Sequence, residues 1–291
     1  MPTGVDESQV SVPLSVRLRF GHAAVQVVAD EIGVDVLHIK GATVDPSLRP
    51  VERSGTDVDV MVRPQHVVRL DGALRQRGWM LYSTFEYGSP FGHAQTYQHE
   101  SWGFLDIHRF FPGIRAEPAV AFDRLWRDRG SSQIAGITCP VPSIPAQGLL
   151  LALNSARAAK RRGDRAVDAD SNAERRAQIE ALVVDLDASV AFAAANGTLE
   201  RFRSERDYRL WRVVSQGGSR SEEWWARVRA APNLAAALRV AARAPLVNVD
   251  SLAHRLGRRP TRREIVIEFF NRPVRALGEA RRGFRNPRVS R

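Results

Sequence analysis

The chain opens with about twelve polar, unpatterned residues and then settles into a helical spacing of apolar positions. Leu14, Val16, Leu18, Ala23, Val25, Val27, Val28 and Ile32 suit one amphipathic helix over Pro13 to Ile32, and Gly33 can end it. Val36 to Ile39 is a short apolar run that predicts a strand leading into Lys40-Gly41. Thr56 to Val62 alternates, with Val58, Val60 and Val62 on one face and Asp57, Asp59 and Met61 on the other. Pro64 is placed to open a helix over about 65–77, which Gly78 closes. Strand-like segments follow at Trp79 to Phe85, Ala94 to His99 and Gly103 to Phe110, separated by Gly, Pro and Ser. A helix, two strands, a helix and a meander predict a small α+β domain with a mixed sheet.

Beyond Pro145 the texture changes to Ala, Leu, Arg and Glu in blocks of helical length. Helices are predicted at 146–162, 173–195, 199–216, 221–230 and 233–244, broken by Gly163, Asn196-Gly197, Gly217-Gly218 and Pro232. The expected organisation is a loose terminus over 1–12, an α+β core over 13–144, a helical domain over 145–250, and an arginine-rich tail over 251–291 with a helical stretch near 261–280.

Composition adds a charge argument. A length of 291 residues gives room for about two domains, and an apolar content of 44% is ordinary for a globular protein, whereas a formal charge of +11 is not. Residues 255 to 291 hold twelve arginines against Glu264, Glu268 and Glu279, which accounts for nine of the eleven positive charges. Such a block points to a polyanionic partner, and Phe269, Phe270 and Phe284 among the arginines fit binding to RNA, an anionic membrane or an acidic protein. Lys40 and Lys160 are the only lysines, so Lys40 stands out. The lone Cys139 excludes an internal disulfide framework and suits a reducing compartment. With no apolar run near 18 residues and no charged-then-apolar leader, neither a membrane span nor a signal peptide is expected, and the cytoplasm is the expected location.

Chemistry is concentrated in three short stretches. Asp57 and Asp59 lie side by side on one strand face, where two charges about 6 Å apart repel by about 3 kcal/mol at an effective dielectric of about 20. A cation is therefore expected beside them. In Leu105-Asp-Ile-His108, alternation puts Asp106 and His108 on one face. A sheet that brings Asp106 beside Asp57 and Asp59 supplies the hard oxygen ligands that two Mg²⁺ ions and a phosphate substrate require.

The run Lys40-Gly41-Ala42, Leu48-Arg49-Pro50, Asp57-Val-Asp-Val-Met-Val62, Gly78-Trp79 and Leu105-Asp-Ile-His108 resembles the uncharacterised nucleotidyltransferase family within the DNA polymerase β-type superfamily. The resemblance covers about residues 10 to 125 and continues more weakly in the helices to about 190. It implies a minimal nucleotidyltransferase core, two Mg²⁺ ions, and transfer of a nucleoside monophosphate from an NTP to a hydroxyl acceptor with release of pyrophosphate. By position, Asp57 and Asp59 are implied as metal ligands bridging to the triphosphate, and Asp106 as a ligand that also helps to deprotonate the acceptor. Lys40, Gly41 and Ala42 stand where the family's turn approaches the phosphates. Two departures are visible: Ala42 replaces a small hydroxyl residue, with Thr43 next to it as a substitute donor, and Val51 to Thr56 lengthens the loop before the first acid. Arg53 or Arg49 is the expected phosphate contact, Arg53 being preferred. His108 is read as an orienting partner of Asp106 or as a general base.

Blander readings stand beside these. An edge strand can carry acids merely to deter aggregation. His93 and His99 are assigned no role beyond lining the cleft. Trp211, Trp224 and Trp225 are read as helix-packing residues, with base stacking the minority reading. Arg162-Gly163-Asp164 reads as a helix end, and Cys139 as structural. Two alternatives to the transferase are a non-catalytic nucleotide- or RNA-binding module on the same fold and, less favoured because only 56 residues precede Asp57, a DxD glycosyltransferase. Acceptors from tRNA and other RNA to proteins and small molecules are all consistent with these residues.

Overall fold

A computed structural model describes residues 12–48, 55–86, 91–157, 173–231, 233–243 and 260–269, with isolated positions beyond. Arg49, Arg53, the Arg162-Gly163-Asp164 triplet and most of the arginine-rich tail lie outside these residues.

Helix α1 (Leu14–Glu31) leads into β1 (Val36–His38), a single 3₁₀ turn over Gly41–Thr43, and β2 (Asp57–Val62). Helix α2 (Val67–Gln76) follows, entered through a 3₁₀ turn that starts at Pro64. Strands β3 (Met80–Ser83), β4 (Ala94–His99) and β5 (Gly103–His108) complete a five-stranded sheet in the order β1-β2-β5-β4-β3. β2 and β5 run parallel, while the other neighbours are antiparallel. The fold is therefore mixed α+β.

The two sheet faces bury different sets of side chains. Val58, Val60, Val62, Leu105, Ile107 and Tyr97 pack under α1 and α2 against Leu18, Val25, Val28, Leu70 and Leu74. The opposite face carries Asp57, Asp59, Met61, Asp106 and His108. There Met61, Leu37, Ile39 and Phe111 join a second core with Leu149, Leu150, Leu153, Leu182 and Trp211 from the helical half. The acids thus lie at the margin between the sheet and the helices, where water and apolar packing meet.

Between sheet and helices lie α3 (Pro118–Arg127) and the hairpin β6 (Gly130–Ile134)–β7 (Ile137–Val141), neither of which the apolar pattern indicated. A local signal for α3 exists. Pro118 opens α3 behind Glu117, whose carboxylate accepts from the Ala119 and Val120 amides. The hairpin turns on Ala135 and Gly136, both at positive φ as a two-residue type I′ loop demands.

The helical half consists of α4 (Ile144–Ala156), α5 (Ala173–Asp185), α6 (Ser189–Ala195), α7 (Tyr208–Gln216), α8 (Arg220–Ala230) and α9 (Leu234–Arg243), and 262–269 is also helical. The expected helix over 173–195 is broken at Asp187, which sits at φ +49. Ala188 N–H closes the end of α5 on the Val183 carbonyl at 2.8 Å, a C-cap in which Asp takes the place usual for Gly. Arg115, from the loop after β5, grips the Asp187 carboxylate with two nitrogens at 2.9 and 3.0 Å and also reaches Glu205 and Asp207. The same loop approaches the helices most closely at Gly113, where a Cβ would meet Ala191 Cβ at 2.8 Å and Leu153 Cδ2 at 3.2 Å.

Candidate active site

The sheet register brings the predicted acids together. Asp59 and Asp106 are paired directly across the parallel β2–β5 ladder, and Asp57 stands two residues before Asp59 on the same face. Asp59 is buried, whereas Asp57 and Asp106 are half-buried. One ligand atom from each of Asp59, Asp106 and His108 lies within 4.8 Å of the others, the spacing of a metal-ligand group; Asp57 flanks that group.

Each acid has one oxygen engaged by the protein. Asp59 Oδ1 accepts from Lys40 Nζ at 2.6 Å and from His108 Nε2 at 2.7 Å. Asp106 Oδ1 accepts from Thr96 Oγ1 at 2.6 Å, and Asp57 Oδ1 from Thr56 Oγ1 at 3.3 Å. The second oxygens of Asp59 and Asp106 have no donor among the described residues. Carboxylate oxygens of Asp59 and Asp106 without protein donors, close to one another and flanked by Asp57, are a concentration of negative charge that fits a hard divalent cation.

Electrostatics separates the acids into two kinds. Burial alone would raise Asp59, but Lys40 and His108 reverse this and hold it well below the usual carboxylate range. Asp106 is pushed up to about 7, first by burial and then by the charge of Asp59. Asp57 is raised for the same two reasons. His108 is lowered to about 4 by burial and by Lys40, so it is neutral at pH 7. Because it donates through Nε2 to a carboxylate, its Nδ1 carries a lone pair, and that buried atom has no hydrogen-bond partner among the described residues.

The other expected site residues take specific places. Lys40, foreseen at a phosphate, is bonded to Asp59. Gly41 adopts φ +69, a conformation suited to glycine, and starts the 3₁₀ turn that also holds Ala42. Thr43 is buried, and its hydroxyl faces the carbonyls of Lys40 at 2.9 Å and His38 at 3.3 Å. The hydroxyl expected as Ala42's substitute at a phosphate is engaged with its own turn.

Two groups had no clear signal in the sequence. Arg157, at the C-cap of α4, donates to His93 Nε2 at 3.1 Å and to Asn154 Oδ1 at 2.7 Å, and lies over the Phe111 ring. It has no carboxylate partner among the described residues. Burial lowers its pKa, and Asp59 pulls it back. A half-buried guanidinium without a carboxylate counter-charge among the described residues is a natural partner for an anion entering the cleft. His93 is thereby more than cleft lining: it orients Arg157 and stands 5.0 Å, ring to ring, from His108.

The second group is a chain of polar side chains behind the Gly41 turn. Asp30 accepts from Gln26 Nε2 at 2.7 Å, which turns Gln26 Oε1 towards His38 Nε2 at 3.0 Å. His38 Nδ1 is then the acceptor for His22 Nδ1, 2.8 Å away. His22, lowered to about 4 by burial, is left with a lone pair on Nε2 directed at the turn.

No protein-family model matches this chain, and no curated protein sequence matches it either. Among solved structures, the chain resembles the lincosamide antibiotic adenylyltransferase LnuA, in its lincomycin-bound crystal structure, with 18% identity and a TM-score of 0.33 over 55% of this chain and 92% of that one. It also resembles the antibiotic-resistance factor ANT(2'')-Ia with 15% identity and a TM-score of 0.36 over 65% of this chain and 91% of that one. At these scores neither likeness bears on what the chain does.

Proposed function

We propose that the chain is an Mg²⁺-dependent nucleotidyltransferase that moves a nucleoside monophosphate from an NTP to a hydroxyl acceptor. The observation that carries this reading is the register of Asp59 with Asp106, with Asp57 on the same face. Asp57, Asp59 and Asp106 would hold the cations, with His108 orienting Asp59. Bound there, two metal ions would supply charge stabilisation at the phosphoryl oxygens and activation of the attacking hydroxyl.

The acceptor oxygen bonds to the α-phosphorus, the bond from that phosphorus to the α,β-bridging oxygen breaks, and its electron pair leaves with pyrophosphate. In this reading the acceptor proton passes to Asp106. Lys40 keeps Asp59 ionised. Gly41 lets backbone approach the phosphates, and Arg157 faces their negative charge. Arg53 or Arg49 is a further phosphate contact in this reading.

The competing reading is a module that binds nucleotide without turnover, favoured by Ala42 and by the engagement of Thr43 with its own turn. NTPs labelled at the α-phosphate, incubated with the protein, Mg²⁺ and a cell extract, separate the two. A labelled acceptor with matching pyrophosphate supports transfer, and stoichiometric binding without pyrophosphate supports the module. Loss of the labelled product after RNase treatment identifies RNA as the acceptor.

A further inference from the structure

A surface cavity of about 740 Å³ opens between α7 and α8, in a part of the fold separate from the acid cleft. Helical spacing builds both of its walls. On α7, Arg209 and Arg212 are three residues apart, and on α8, Trp225 and Arg229 are four apart, so each pair points the same way. Two further charged residues of the lining are already committed. Arg203 is paired with Glu200 at 2.5 Å, and Glu222 serves the capping box of α8 through Ser219. Arg209 and Arg229 have no ion pair among the described residues.

Arginines on a helix surface are ordinarily just solvated. Trp225 is what departs from that reading: it is 69% exposed on the cavity wall, although indole is among the most favourable side chains to bury. Its neighbour Trp224 is covered by Arg227, 5.1 Å from the ring centre. Trp225 has no ring or cation contact among the described residues. Folding therefore gains nothing from an indole left in water beside Arg209 and Arg229, which have no ion pair among the described residues, while Arg212 also feels the charge of Glu222. A ligand with a flat ring and negative charge would use both.

We propose that this cavity binds single-stranded nucleic acid, one base stacking on Trp225 while Arg209, Arg212 and Arg229 meet the adjoining phosphates. Stacking on an exposed aromatic and phosphate contact by arginine are sequence-tolerant, which fits a site with few polar groups other than guanidinium. A duplex hides its base faces and would not engage the indole. The inference goes beyond the transferase reading and does not depend on it.

The test uses the full chain and a fluorescein-labelled oligouridylate of about ten nucleotides, followed by fluorescence anisotropy as NaCl is varied. Three phosphates met by arginine give a slope of log K against log[NaCl] near −2, at about −0.7 per phosphate on a single strand. Trp225→Ala is expected to weaken binding about tenfold. Arg209→Gln with Arg229→Gln should bring the slope to about −0.7. Both sets of side chains are exposed, and an unchanged thermal midpoint shows that the fold is intact. Asp59→Asn should bind like the unaltered chain, which separates this site from the acid cleft. UMP as competitor distinguishes the two sources of a stacked base with phosphate: displacement at equal concentration assigns the cavity to a mononucleotide and keeps its chemistry, whereas resistance to UMP confirms a strand. Equal affinity and slope in the unaltered chain and in both variants would place binding on the arginines of 255–291 and overturn the proposal. A preference for duplex RNA, or for heparin without dependence on Trp225, would overturn it too.

Discussion

Asp59 and Asp106 stand on one rung of the sheet, registered across the parallel pair β2–β5, so their backbones are about 4.8 Å apart and their side chains share a face. Two carboxylates so placed do not ionise equally. Lys40 and His108 both bond to Asp59, which therefore keeps its charge, and Asp106, raised first by burial and then by that charge, has its pKa pushed up to about 7.

That division sets a pH dependence. Below pH 4 or so, Asp106 is protonated in folded and unfolded chains alike. Between about 4 and 7 the folded chain holds a proton that the unfolded chain has lost, so stability falls as pH rises through this window. The full effect reaches about 4 kcal/mol if the whole shift is expressed. Urea denaturation in EDTA is expected to show Asp106→Asn gaining on the unaltered chain from pH 4 to pH 8. Millimolar Mg²⁺ at pH 8 should then stabilise the unaltered chain and leave the variant where it was. A constant difference across pH would mean that Asp106 titrates normally.

Arg157 offers a variant whose stability and function move in opposite directions. Removing a half-buried charge that has no carboxylate partner among the described residues relieves a desolvation cost, so Arg157→Gln is expected to unfold at the same urea concentration as the unaltered chain or a higher one. The KM for NTP should rise about tenfold or more as the phosphates lose a charge-assisted contact. A purely structural arginine would show the reverse, with lower stability and unchanged KM.

Gly113→Ala tests how the loop after β5 meets the helices. At φ +104 an L-residue is strained, and the new methyl would lie 2.8 Å from Ala191 Cβ with Leu153 and Trp211 close behind. Strain and overpacking together are expected to cost about 2 to 4 kcal/mol, read as a lower urea midpoint with an unchanged slope. A variant as stable as the unaltered chain would show that this contact yields easily.

Much of this arrangement was legible in the sequence because period-two and helical spacings are local. The helix expected over Pro13 to Ile32 is α1 (Leu14–Glu31), and the segment expected at Ala94 to His99 is β4 over the same residues. The carboxylates followed from alternation, since residues two apart on a strand face the same way. What was hidden is non-local or unusually encoded. Arg157 is over fifty residues from Asp106, and only the packing of α4 on the sheet brings it to the cleft. The break at Asp187 lacks the glycine that normally signals a helix end. Ala135-Gly136 turns a hairpin without the Asn-Gly or Asp-Gly that would announce it. Trp211 is buried as the helical pattern indicated, whereas Trp225, in an equally helical pattern, faces solvent.

Asp59→Asn keeps the shape of the side chain and an acceptor for Lys40 and His108 but removes the charge. Turnover is expected to fall more than a hundredfold, beyond the 10- to 100-fold typical of residues that merely support a metal ligand. Circular dichroism should stay that of the unaltered chain. Retention of most of the transfer activity would remove Asp59 from the reaction.

The carboxylates can also be tested without knowing the acceptor, by counting Mn²⁺ bound to the purified chain through electron paramagnetic resonance in the presence of a non-hydrolysable NTP analogue. The unaltered protein should bind Mn²⁺ stoichiometrically, and Asp59→Asn and Asp106→Asn should each lose that binding while remaining folded. Undiminished binding in both variants, or none in the unaltered chain, would contradict a metal centre built on this rung of the sheet.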